Sequence, residues 1–148
     1  MQIVNKTFEY ETKGKFDIHD ITDEVVEFIT KTNIQNGLVN IQTLHTTATV
    51  FVNENEPLLL SDIKKNLERL APEKEIIYQH DNFDIRTVNM CDDECANGHS
   101  HCKAMYLPQN VTLNLTDGKI TFGRWQRILH IELDRARPRK VQVLIIGE

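Results

Sequence analysis

Two histidines and a cysteine fall within four positions of NGHSHCK, residues 97–103: His99, His101 and Cys102. Imidazole and thiolate are the strongest protein ligands for zinc-like ions, and both also serve as acid, base or nucleophile. The stretch closes a longer run, CDDECANGHSHCK, that adds Cys91 and Cys95 in the pattern Cys-x3-Cys-x3-His-x-His-Cys. A closed structural zinc site draws its four ligands from two separated pairs. Here five candidates lie within twelve residues, so one loop would have to wrap the ion. A single ligand from this run, joined by histidines from elsewhere, is the better arrangement. If HSHCKAMY is extended, His99, His101 and Lys103 share one face and Cys102 points away as a small packing residue.

Two other histidines qualify as partners. His45 stands in LHTTA, where a long alternating pattern breaks, and Thr46 and Thr47 set hydroxyls beside it that suit an anion or a metal-bound oxygen. The competing reading is a strand-end histidine hydrogen-bonded to its neighbours. His80, in YQHD, opens an irregular stretch with Asp81 beside it; its competing reading is a solvated loop residue. GRWQ, residues 123–126, holds the one tryptophan, Trp125, which reads as core or as a pocket wall. The basic RARPRK reads as a solvated strand connection, and His130, alternating with Ile128 and Glu132, reads as structural.

The elements that must position these groups are legible from periodicity. QIVNKTFEY alternates as an opening strand, and ITDEVVEFITKTN is a helix with Thr22 as cap, early acidic residues, and a Val25–Phe28–Ile29 stripe. GLVNIQTLHTTATVFVNEN is rich in β-branched residues and too long for one strand, so it divides into two near His45 to Thr47. EPLLLSDIKKNLERLAP is an amphipathic helix, started at Pro57, striped by Leu60, Ile63, Leu67 and Leu70, and closed by Pro72. Periodicity then fails for about two dozen residues, and a loop that long in a compact domain is functional or disordered; the His, Asp and Cys content favours function. NVTLNLTDGKITF is a hairpin around Asp117-Gly118, and RILHIELD and KVQVLIIGE are two more strands. The sum is a single α+β domain over residues 1–148, with largely antiparallel, sandwich-like sheets and two main helices.

Composition narrows the partners. A formal net charge of -5 disfavours nucleic acid, and no apolar run reaches a membrane span. The N-terminus lacks a signal peptide's layout, and three cysteines make an odd count, so the expected location is the cytoplasm.

Together, HTTATVFVNENEP, YQHD, NGHSHCKA, DGKITFGRWQ and IELDRARPRKVQVLIIGE occur in the order found in the YjbQ family, also called secondary thiamine-phosphate synthase. The sequence resembles that family over nearly its whole length. The resemblance implies a sandwich-like α+β subunit, assembly as a homotrimer, and a site built from the histidine motifs. Position by position, His45 matches the histidine of H-T-[ST]-A, His80 that of Y-x-H-D and His101 that of H-x-K, while Trp125 and Gln126 match G-T-W-Q. Arg124 departs from the usual threonine, Leu107-Pro108 from a Leu-Gly pair, and His99 stands where many members have Pro or Ala.

The expected site therefore has His45, His80 and His101 on a divalent metal, zinc, or magnesium with a pyrophosphate substrate. Three imidazoles and a water form an open site that activates the water or polarises a phosphate oxygen. His101, Asp81 and Lys103 are the candidate catalytic groups, and Thr46, Thr47, Arg124, Trp125 and Gln126 the candidate substrate contacts. The activity implied by the resemblance joins a pyrimidine pyrophosphate to a thiazole phosphate as a weak side reaction. The functional expectation is a metal-assisted enzyme on a small phosphorylated molecule; the alternative is a non-catalytic trimer that binds an anion or a metal.

Overall fold

The computed structural model describes residues 1–148, and its strands form two antiparallel sheets. Strand β1 is Gln2–Glu11, β2 Ile18–Asp20, β3 Gly37–Thr43, β4 Ala48–Asn53, β5 Asn110–Thr116, β6 Lys119–Ile120, β7 Arg127–Glu132 and β8 Pro138–Gly147. The large sheet runs β1-β8-β3-β5-β6 and the small one β2-β7-β4. Three helices accompany them: α1 (Thr22–Thr30), α2 (Pro57–Leu70) and α3 (Gly98–Ala104). A single 3-10 turn at Gln79–Asp81 lies between α2 and α3.

Most elements lie where periodicity places them. The long β-branched run divides into β3 and β4 with His45 to Thr47 in the connection. The Asp117-Gly118 turn takes positive φ at both residues, 49° and 72°, the backbone a two-residue hairpin needs. Pro57 opens α2, and the Glu56 carboxylate accepts from the Leu58 and Leu59 amides. The α2 stripe is buried at Leu67, with Leu60 and Ile63 packed beside it, while Leu70 is exposed. At α1 the cap differs from expectation. Thr22 is the first helical residue and Ile21 takes the cap position, while Asp20, one residue earlier, accepts from the Thr22 amide and hydroxyl.

Strand β7 decides the layering because it is buried on both faces. Ile128 joins Val50, Val39, Ile41, Val141, Val143 and Ile145 in the core between the sheets, closed by Val25 and Ile29 of α1. Leu129, Ile131 and Leu133 alternate to the other side, where they meet Phe51, Leu67 of α2 and Ala104 of α3. The alternation leaves His130 and Glu132 facing the inter-sheet core. His130 packs edge-on against Tyr10, has no hydrogen-bond partner on either ring nitrogen, and is pushed down to about 3 by burial, so it is a neutral packing residue.

Glu132 is different, because its charge is answered. Arg139 of β8 donates to both carboxylate oxygens, at 2.5 Å each, and to the Thr47 hydroxyl at 3.0 Å. Thr12 donates to the same carboxylate at 3.0 Å, and the Asp134 amide at 2.8 Å. The pair thus joins the last residue of β7 in the small sheet to β8 in the large one. Removing one partner of a buried pair strands the other charge. Arg139→Met is expected to lower stability by about 3–5 kcal/mol, while the double variant Glu132→Leu/Arg139→Met recovers part of the loss. Urea unfolding of the parent and the two variants checks this; an Arg139→Met protein as stable as the parent would refute it.

Candidate functional site

Beyond the Glu132 end of β7 the β3–β4 connection, the turn 135–139, the loop 80–97 and helix α3 enclose a cavity of about 720 Å³. His45, Thr46 and Thr47 line it from the first, Arg135, Arg137 and Arg139 from the second. His80, Arg86 and Cys91 come from the loop and His101 from α3.

Each imidazole has its own support. The Lys140 amide of β8 donates to His45 Nε2 at 2.8 Å. The neutral ring then carries its proton on Nδ1 and is a hydrogen-bond donor. Burial, with Arg139 adding to it, keeps His45 below the ordinary histidine range. His101 sits edge-on to His80 with ring centroids 4.6 Å apart. Burial first, then the His80 ring, holds His101 low as well. His45 and His101 are therefore neutral near pH 7, and His101 keeps a lone pair for a proton or an ion.

Helix α3 is fixed to the end of β7 rather than formed by its own sequence. It has seven residues, too few to hold a helix alone. Ser100 Oγ donates to Leu133 O at 2.6 Å and Asn97 Nδ2 to Asp134 at 3.2 Å. The condition under which His99, His101 and Lys103 would share one face, an extended stretch, is thereby not met: the stretch is helical and the sharing of faces changes. His99 and Lys103 lie one turn apart on the buried side, while His101 faces the cavity.

That change removes Lys103 from the catalytic candidates. Its side chain is fully buried, and Nζ donates to Ala71 O at 2.6 Å and His99 Nδ1 at 3.1 Å, with Glu68 at 3.3 Å. Asp81 is not a cavity residue either; its Oδ1 accepts from the Asn97 and Gly98 amides at 2.9 and 2.8 Å. Cys102 is half-buried and free.

Arg124, Trp125 and Gln126 lie elsewhere. They precede β7, whose six residues put them roughly 20 Å from its cavity end. Trp125 is 60% exposed, stacks under the Arg124 guanidinium, and borders a separate groove with Asp20, Glu54 and Arg127. Gln126 folds back to accept from the Gly123 amide at 2.8 Å. Within one subunit these three residues do not reach the histidines.

Charge makes RARPRK read as a solvated connection, but Arg135, Arg137 and Arg139 border the cavity together with Ala136 and Pro138, where the chain bends between β7 and β8. Each arginine has an acidic neighbour, Asp93 at 3.4 Å for Arg135, Asp134 at 3.4 Å for Arg137 and Glu132 for Arg139, and Arg86 of the loop pairs with Glu94 at 3.0 Å. No three His, Cys, Asp or Glu side chains gather closely enough to hold an ion between them. His80 and His101 supply two adjacent imidazoles, whereas His45 Nε2 is engaged by the backbone.

The chain belongs to the UPF0047 family. The family model described as UPF0047 protein YjbQ-like matches residues 6–148. A UPF0047 protein of Archaeoglobus fulgidus is 36% identical over 132 residues, covering 89% of this chain and 93% of that protein. One from Methanothermobacter thermautotrophicus is 31% identical over 148 residues, 100% of this chain and 95% of the relative. Among solved structures, a protein of unknown function from Sulfolobus solfataricus superposes with a TM-score of 0.88 at 29% identity, covering 99% of each chain. A hypothetical protein from Aeropyrum pernix gives 0.85 at 30% identity, over 98% of this chain and 99% of the other.

The placement of Lys103 is directly testable. Lys103→Met leaves the Ala71 carbonyl unsatisfied in the core and is expected to cost about 1–3 kcal/mol in urea unfolding, with anion binding at the cavity unchanged. Lost binding at unchanged stability would return Lys103 to the site.

Proposed function

We propose that the cavity binds a small phosphorylated molecule and that its imidazoles move protons on it. The observation that carries this reading is the gathering of four arginines and three histidines around one cavity of about 720 Å³. Guanidinium groups match phosphate oxygens in bidentate geometry and stay charged throughout the pH range. Their acidic neighbours are displaceable where exposed, as at Asp93. In this reading His45 Nδ1–H donates to a phosphate oxygen, and neutral His101 accepts a proton from a reacting group or water.

The transferase reaction named for the resemblance fits within this frame. A thiazole nitrogen forms a bond to the pyrimidine methylene carbon as the carbon–oxygen bond to pyrophosphate breaks, and the arginines take the departing anion. Zinc, when bound, would be held by His80 and His101, taking the lone pair with which His101 otherwise accepts a proton, whereas magnesium would enter on the pyrophosphate oxygens; either ion would supply charge stabilisation for those oxygens. A homotrimer in the cytoplasm completes the proposal. A non-catalytic anion binder uses the same arginines, and turnover separates the two.

Calorimetric titration with pyrophosphate tests the reading. Arg137→Ala, removing a partly exposed guanidinium at the cavity, is expected to weaken binding by about 1.5–3 kcal/mol. Absence of measurable pyrophosphate binding by the parent protein at millimolar concentration would contradict the proposal. Elemental analysis of untagged protein in parallel is expected to find a divalent ion that His101→Ala loses.

A further inference from the structure

His80 and His101 come from segments separated by the long loop, yet their rings meet edge-on with centroids 4.6 Å apart. The contact is made by a joint beneath them. Asp81, next to His80 on the 3-10 turn, accepts from the amides of Asn97 and Gly98, the residues that begin α3. Both bonds go to one oxygen, Oδ1, at 2.9 and 2.8 Å, so the carboxylate fixes the turn to the helix at two adjacent points.

Gly98 makes the same joint possible from the other side. A Cβ there would lie 2.5 Å from Tyr78 Cβ and 3.2 Å from Asp81 Oδ1, so only glycine lets the turn approach this closely. Tyr78 cannot easily withdraw, because its hydroxyl donates to Pro72 O at 2.8 Å. The helix in turn is tied to the end of β7 through Asn97–Asp134 and Ser100–Leu133. His80 thus takes its place from the sheet through α3 and Asp81, in addition to the bond its carbonyl accepts from Arg86 of the loop at 3.3 Å.

We infer that Asp81 is a positioning residue, which acts through His80 and His101 by pinning the turn to the first amides of α3. Its aspartate sits beside a cavity histidine without lining the cavity, the arrangement of a support rather than a reactant. The consequence for anion binding rests on the function proposed above, but the pairing of the rings does not.

Nuclear Overhauser contacts between the ring protons of His80 and His101 read the pairing without any ligand. The parent protein is expected to show them, and Asp81→Ala and Gly98→Ala to lose them. Asp81→Asn keeps an acceptor oxygen for both amides and is expected to restore them. Ser100→Ala removes a bond that anchors α3 to β7 but leaves the joint intact, so it lowers stability and keeps the ring contact. Pyrophosphate binding by Asp81→Ala is expected to weaken roughly tenfold through misplacement of the rings. Ring contacts that persist in folded Asp81→Ala and Gly98→Ala, that are absent from the parent, or that vanish equally in Ser100→Ala would overturn the inference. If the parent binds no pyrophosphate while the ring contacts follow this pattern, the proposed function fails and the positioning role stands.

Discussion

The buried pair of Glu132 and Arg139 is the constraint from which the site follows. Strand β7 has no solvent-facing side, so a carboxylate at its last residue must be neutralised inside the protein. Arg139 does so from the other sheet, aided by Thr12 and Thr47 and by the Asp134 amide. Meeting this demand fixes the distance between the sheets at one end of the core. It also determines where β8 begins, and so the path of the turn carrying Arg135 and Arg137. The Lys140 amide follows Arg139 directly and holds His45, so one wall of the cavity is a by-product of satisfying a buried charge.

The opposite wall is built on the same strand end. Leu133 and Asp134 continue β7 and accept the two side-chain bonds that anchor α3. His101 therefore depends on the helix, the helix on β7, and β7 on the ion pair. A chain of rigid supports of this kind holds side chains more closely than a loop would. The chemistry gains from it: burial keeps His45 and His101 neutral, while guanidinium groups keep positive charge beside them. Neutral imidazoles beside guanidinium groups are what the proposed phosphorylated ligand would require, the arginines to balance its charge and the histidines to exchange protons with it.

What the sequence disclosed depended on how local the cause was. The break at His45, the Asp117-Gly118 hairpin and the stripe of α2 arise from neighbours within a few residues, and each was legible. Helix α3 was not, because GHSHCKA has no apolar stripe and is held by Leu133, Asp134 and Asp81, all distant in the chain. Reading it as extended put Lys103 on the wrong side of the element. The three histidines could be chosen by chemistry and motif, and they do meet in one cavity. The arginines of RARPRK are not legible as site residues, because a charged run resembles a solvated turn and only the bend between β7 and β8 carries them to the cavity. Trp125 and Gln126 illustrate the converse, since a motif shared with a family says nothing about which end of a strand it occupies within one subunit.

A crystal structure of the protein grown with pyrophosphate tests the central claim most directly, since it asks where an anion goes when several basic surfaces are on offer. The account predicts density in the histidine cavity, contacted by Arg135 or Arg137 and within hydrogen-bond reach of His45 Nδ1. Density only in the groove beside Arg124 and Trp125, or none at all, would contradict it.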